Sequence, residues 1–166
     1  MNKALFFFSL FFILFITACS DTAQVTIDRQ VEENAGSTFL AKDHVVCEQD
    51  GKPIIREFAT SWCPHCAWIK PTYQQVIKEY GDKIIAYQWE ADTGDNLLSE
   101  QLEVSVPQEE INVWKTFNPD QTIPTFVFGC KYIRIGNAFE EQKDRDAEAR
   151  EFRAIIDKLL SEVDQP

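Results

Sequence analysis

The sequence predicts an α/β fold, a sheet with helices packed on it, and three stretches carry that prediction. A β-like run, Pro53 to Ala59, leads into a helix-like run that reaches Tyr80. A second, alternating strand, Lys83 to Glu90, follows a Gly81-Asp82 turn that ends that helix. The last helix, about Asp144 to Val163, repeats Phe152, Ile155, Ile156, Leu159, Leu160 and Val163 on one face, the stripe of a helix that covers a sheet. With 45% hydrophobic and 26% charged residues, the 166-residue chain suits one globular domain with a core of ordinary size.

Much of the hydrophobicity is local. Ala4 to Ala18 is almost wholly apolar, holds six of the thirteen phenylalanines and follows a short start carrying Lys3. It is too short to span a bilayer comfortably, which takes about 20 residues, but it suits a signal-peptide core. The segment ends Ile16-Thr17-Ala18-Cys19, which resembles a prokaryotic lipobox, so Cys19 is expected to be lipidated and to become the mature N-terminus. The alternatives are an uncleaved anchor, or an ordinary signal peptide in which Cys19 is incidental. Ser20 to Ser37 is polar, has no apolar period, and reads as a tether. The expected organisation is therefore a signal peptide (1–18), a lipid-anchored tether (19–37) and a folded domain (38–166), exported and held on the extracytoplasmic face of a membrane. Loss of 1–18 removes Lys3 and no acid, moving the formal charge from -11 to -12. So acidic a surface makes nucleic acid an unsuitable partner.

Within the domain, His44-Val45-Val46-Cys47 reads as a short strand. The turn residues Gln49-Asp50-Gly51-Lys52 come next, so this strand and Pro53–Ala59 form a hairpin or a sharp reversal, with Pro53–Ala59 as the central strand. Gly94 to Val106 is acidic and loop-like. Pro107-Gln108-Glu109-Glu110 then starts a helix to about Phe117, with proline and acids in its first turn. The spacing of Ile111, Trp114 and Phe117 points to core packing. Phe126–Gly129 and Tyr132–Ile135 are two short strands about a tight turn at Gly129-Cys130-Lys131, and Gly136 closes the second.

The chemistry lies in Phe58 to Pro71, FATSWCPHCAWIKP. Cys63 stands at a helix start, where unpaired N–H groups and the positive end of the macrodipole favour a thiolate, so it is the candidate nucleophile and the expected more exposed and more acidic thiol. Cys66, one turn on, is close enough to close a disulfide or to resolve a mixed one.

From about Val45 to Val163 the chain resembles the thioredoxin superfamily. The resemblance rests on Trp62 before the first cysteine, Pro71 eight residues after it, and Thr122-Ile123-Pro124-Thr125-Phe126, which is similar to the family's cis-proline loop. It implies a thioredoxin-like fold with a central mixed sheet flanked by helices, a kink at Pro71, and substrate backbone bound at Ile123, Pro124 and Thr125. It also implies a proton-transfer role toward Cys66 for Glu57, six residues before Cys63 where the family carries a buried aspartate. The family's partner lysine on the next strand appears here as Gln88. Pro64-His65 matches the dipeptide of the periplasmic disulfide oxidases, in which the histidine stabilises the thiolate, so Trp62, Pro64 and His65 are expected to tune the pair. Between Asp92 and Thr122 the chain spends about thirty residues, more than thioredoxin does but much less than the large helical insertion of those oxidases. This and the thioredoxin-like isoleucine before the cis-proline argue for a reductase, and the direction of electron flow stays open.

Five cysteines less a lipidated Cys19 and the redox pair leave Cys47 and Cys130. In an oxidising compartment two leftover thiols tend to pair, and closing that span would stabilise the fold by roughly 4 to 5 kcal/mol on the chain-entropy account. Two separate buried thiols, or a relay to Cys63 and Cys66, are the alternatives. Cys63, Cys66, His65 and His44 lack the second closely spaced ligand pair of a structural zinc site; no metal and no cofactor is expected. The expected activity is protein-disulfide oxidoreduction by a monomer, with protein thiols and disulfides as substrates and a membrane redox partner. The rival is a non-catalytic lipid-anchored binding or chaperone module, against which stands the complete set Trp62, Cys63, Cys66, Pro71 and Pro124.

Overall fold

The computed structural model describes residues 38–163. The signal segment, Cys19 and the tether expected before them lie outside the described residues. Among the described residues, seven strands and three α-helices run in the order β1 (Leu40–Ala41), β2 (Glu48–Gln49), β3 (Lys52–Ala59), α1 (Pro64–Tyr80), β4 (Ile85–Glu90), β5 (Asp95–Asn96), α2 (Gln108–Phe117), β6 (Thr125–Phe128), β7 (Tyr132–Ile135) and α3 (Arg145–Val163). The sheet order is β1-β7-β6-β3-β4-β5, with β2 paired to β3. Only β3 and β4 are parallel; every other pairing is antiparallel, which makes the sheet mixed.

β3 is the centre, and its composition explains why. From Pro53 to Ala59 every residue is buried, as a strand covered on both faces requires. Alternation then divides its side chains. Ile55 joins Ile69, Tyr73 and Val76 of α1, Phe126 and Phe128 of β6, and Phe152, Ile155, Ile156 and Leu159 of α3 in the main core. Phe58 faces the other way, into a smaller core with Trp89, Trp114 and Val127, and stacks on Trp114 with ring centroids 5.1 Å apart. The α2 stripe is therefore core packing as its spacing predicts, with Trp114 fully committed and Ile111 and Phe117 half-buried.

Two expectations about strands need correction. His44–Cys47 is not a strand; β2 lies just after it. Asp50 and Gly51 both take positive φ (54° and 71°), the two-residue hairpin loop that Asp-Gly favours, and this registers Gln49 opposite Lys52. Cys47 instead runs beside the β6–β7 turn, where its N–H donates to the Gly129 carbonyl at 2.8 Å. The Gly94–Val106 loop also contains β5, too short to show a period, which pairs Asn96 with Trp89. Gly129 carries positive φ (59°), and a Cβ there would sit 2.4 Å from Leu159 Cδ2, so glycine lets α3 approach the turn.

A disulfide joins Cys47 to Cys130, with Cα atoms 5.3 Å apart. Arg56 lies beside it, its Nη1 3.8 Å from Cys130 Sγ, while Nε and Nη2 hold Glu110 of α2 at 2.7 and 2.9 Å. Trp89 Nε1 donates a further bond to the Glu110 carboxylate. The bridge thus sits at the Ile54 end of β3. The active pair follows the Ala59 end, about 16 Å away at ~3.3 Å per residue, too far for direct exchange between the two cysteine pairs in this fold.

Candidate active site

Cys63 is the N-cap of α1, with extended backbone (φ -79°, ψ 116°), and Pro64 opens the helix where no N–H is needed. The Cys66 N–H donates to Cys63 Sγ at 3.2 Å, so an otherwise orphaned helix donor is directed at the sulfur. The turn before it is pinned by Asp92 at the end of β4: Ser61 N–H donates to Oδ1 at 2.9 Å and the Ser61 hydroxyl to Oδ2. These two bonds hold the Asp92 carboxyl below its ordinary range. Nothing in the local spelling marked Ser61 and Asp92, because the contact spans from one strand end to the next.

Both cysteines are free thiols. They are equally buried, at 3% and 4% exposure, packed with Ala59 and Ile123, so greater exposure of Cys63 is not what separates them. Their hydrogen bonding does. Burial first, and then the bond with Cys63, push the Cys66 thiol well up, and this thiol keeps its proton. Helix α1 continues through Pro71 to Tyr80.

Ile123-Pro124 is a cis peptide bond. Ile123 is half-buried against the cysteines and Pro124 lines a groove of about 460 Å³ with His65, Gly136, Asn137, Glu140 and Glu141. Thr125 does not share that surface. It is wholly buried, and its hydroxyl donates to the Thr122 carbonyl and accepts from Asn118 Nδ2 and Trp114 Nε1. Its side chain braces the loop from beneath and does not line the groove.

His65 is also placed differently from expectation. Its ring is exposed, and Nδ1 lies 2.9 Å from Glu140 Oε2, in the segment between β7 and α3. Asn137 Nδ2 ties the same corner by donating to the His65 carbonyl at 2.9 Å and to Glu140 Oε2 at 2.7 Å. The hydrogen bond on the Cys63 sulfur comes from the backbone of Cys66; the imidazole is turned toward a carboxylate. Trp62 is 71% exposed at the rim.

Beneath the pair lies Glu57, fully buried on β3. Burial pushes its carboxyl up to about 8, against the opposing pulls of the Gln88 hydrogen bond and of Arg134 and Lys70. Gln88 Nε2 donates to Glu57 Oε2 at 2.7 Å, and Gln74 Nε2 of α1 donates to Gln88 Oε1 at 2.7 Å. A small cavity of about 60 Å³ adjoins this layer, lined by Thr60, Cys66, Lys70, Gln88 and Glu90 among others, and is large enough for a few water molecules. Among the described residues no cluster of histidine, cysteine and acidic side chains is placed to hold a metal ion.

A CxxC pair whose first cysteine caps a helix, a neighbouring cis-proline and a buried acid on the central strand form one arrangement, and the thioredoxin family profile matches residues 37–116. The match places this part of the chain, residues 37–116, in the thioredoxin superfamily. A chloroplastic thioredoxin X of Arabidopsis thaliana is 31% identical over 52 residues, 31% of this chain and 29% of that protein. A thioredoxin-like protein of Synechocystis is 32% identical over 56 residues, 34% of this chain and 51% of its own length. The chain thus spans about half, or less, of these curated relatives. In solved structures, the oxidoreductase NmDsbA1 from N. meningitidis superposes with a TM-score of 0.52 at 17% identity, covering 75% of this chain and 93% of that one. An oxidised point mutant of DsbA1 gives the same score at 16% identity, with 77% and 95% covered. These likenesses establish the thioredoxin-like fold over most of the chain.

Proposed function

We propose that this thioredoxin-superfamily chain is an extracytoplasmic thiol–disulfide oxidoreductase acting on protein substrates through Cys63 and Cys66. The observation that carries the reading is the Cys63 sulfur at the N-cap of α1, receiving the Cys66 N–H and facing the Ile123-Pro124 loop. In the reducing direction the Cys63 thiolate attacks a substrate disulfide. A Cys63–substrate S–S bond forms, the substrate's own S–S bond breaks, and one substrate sulfur leaves as thiolate. Cys66 then passes its proton to the Glu57 carboxylate by way of water, and its thiolate attacks Cys63 Sγ. The Cys63–Cys66 bond forms and the second substrate sulfur departs, so two electrons move from the dithiol to the substrate. Run backward, the same steps oxidise a substrate dithiol. The groove beside Pro124 receives the substrate backbone, and Trp62, Pro64 and His65 tune the pair.

The lipobox-like Cys19, and the Cys47–Cys130 bridge in a chain with a signal-like start, support export and attachment to the outer face of a membrane by a lipid anchor. Among the described residues no helix is long and apolar enough to cross a membrane. A membrane-bound redox partner recharges the pair in this reading, the protein acts as a monomer, and nucleic acid plays no part. Insulin reduction tests it: the chain should precipitate insulin chains in the presence of dithiothreitol and the Cys63→Ser variant should not. Equal precipitation by both would favour the non-catalytic binding module, a reading that draws on the burial of both thiols.

A further inference from the structure

Glu57 on β3 and Gln88 on β4 are direct partners in the parallel register, with their side chains on the α1 side of the sheet. An amide can present either its oxygen or its NH2 group to a carboxyl, and which one it presents decides which carboxyl oxygen can carry a proton. Here the choice is fixed from outside. Gln74, half-buried on α1, donates Nε2 to Gln88 Oε1, which leaves the Gln88 NH2 group for Glu57 Oε2. With Oε2 held as an acceptor, the proton of the neutral acid belongs on Oε1. That atom is fully buried and has no hydrogen-bond partner among the described residues. We propose that Gln88, oriented by Gln74, is a positioning residue that keeps the transferable proton of Glu57 on Oε1, the oxygen free to exchange with Cys66.

The other groups facing Glu57 do not duplicate this role. On α1, Cys66 and Tyr73 are both raised partly by the Glu57 charge, and Lys70 lies 3.7 Å from Glu90. On β7, Arg134 is 2.7 Å from Glu148 Oε2, a contact too misaligned for a hydrogen bond, so charge attraction dominates it. From β6 the cross-strand neighbour is Phe126, which is apolar. Both nearby cations are thus engaged by their own carboxylates, and the one hydrogen bond to Glu57 comes from a neutral amide. A neutral donor fixes geometry without forcing ionisation, whereas a cation at the same place would favour the carboxylate.

The inference rests on the reading of Glu57 as the proton acceptor for Cys66, and the test separates the two. The full chain, reduced, is mixed in a stopped-flow instrument with an aromatic disulfide that releases a coloured thiolate twice: once when Cys63 attacks, and again when Cys66 resolves the mixed disulfide. The pH dependence of the second phase, relative to the first, is followed in wild type and in Glu57→Gln, Gln88→Lys and Gln74→Leu. Gln88→Lys should move the second-phase midpoint about one pH unit or more toward acid. Gln74→Leu, which frees the Gln88 amide to turn, should lower the ratio of second to first phase about fivefold near neutral pH, the weight of one ordinary hydrogen bond. A second phase untouched by Glu57→Gln would remove the underlying reading. A second phase that collapses in Glu57→Gln but keeps its wild-type profile in the two glutamine variants would overturn the positioning role alone. If Gln88→Lys fails to fold, Gln74→Leu decides, since it changes the half-exposed end of the chain of amides.

Discussion

Replacing Glu57 by glutamine should change how stability depends on pH, and the size of the change follows from where the carboxyl sits. In the unfolded chain the group titrates at its ordinary value of 4.5; in the fold, burial holds it near 8. Between those values the unfolded chain has released a proton that the folded chain still binds, so stability falls as pH rises through the window and levels off above about 8. Each pH unit corresponds to about 1.4 kcal/mol, and the whole window to about 5 kcal/mol, against a typical domain stability of about 5 to 15 kcal/mol. Glu57→Gln keeps an acceptor for Gln88 Nε2 and abolishes the titration. Asp92, Glu79 and Glu103 are held below their ordinary range and act in the opposite sense, losing their contribution in acid, but they are common to both proteins and cancel in the comparison. Urea unfolding with the Cys47–Cys130 bridge intact should show the wild type losing about 3 kcal/mol more than the variant between about pH 5 and pH 7.5. Parallel pH profiles would mean that Glu57 titrates in the fold as it does in the unfolded chain, and the raised proton affinity that suits it to take a proton from Cys66 would be absent.

Two further outcomes follow from the cysteines. In the reduced protein Cys63 should be alkylated before Cys66, because Cys66 is held protonated by burial and by its bond with Cys63; peptide mapping that finds Cys66 modified first would reverse their roles. The Cys63→Ser, Cys66→Ser double variant should show no free thiol apart from Cys19, and opening its bridge with Cys47→Ala and Cys130→Ala should cost up to about 4 kcal/mol in urea unfolding; two alkylated thiols in the double variant would exclude the bridge.

What could be read in the sequence was whatever a short stretch specifies by itself. Pro53–Ala59 into α1, the β6–β7 hairpin and the apolar face of α3 each declare themselves through period, turn residues and caps, and together they dictate a sheet with helices on it. The two-residue strands β1 and β5 have no period to show, and β2 was displaced from His44–Cys47 because the Asp50-Gly51 turn sets the register. The site divides in the same way. The Cys63–Cys66 spacing and the Pro124 loop are local signals, whereas the Asp92 pin on Ser61, the turn of His65 toward Glu140 and the chain from Gln74 through Gln88 to Glu57 join elements distant in sequence. Thr125 shows the limit most directly: its position beside Pro124 suggested substrate contact, but strand alternation sends its side chain under the loop toward Asn118 and Trp114.

The central claim is that Cys63 and Cys66 form a redox pair poised by the helix terminus, and its equilibrium potential tests that directly. The N–H directed at Cys63 Sγ stabilises a thiolate and hence the reduced form. The surface charge of the chain opposes this, but charges beyond about 8 Å are screened at physiological salt. After equilibration in glutathione buffers, acid quench and mass counting of alkylated thiols, Cys63 and Cys66 should convert together at a potential between thioredoxin's ~-270 mV and the strong oxidase's ~-120 mV. Exchange confined to Cys47 and Cys130, with Cys63 and Cys66 never forming a disulfide, would contradict the account.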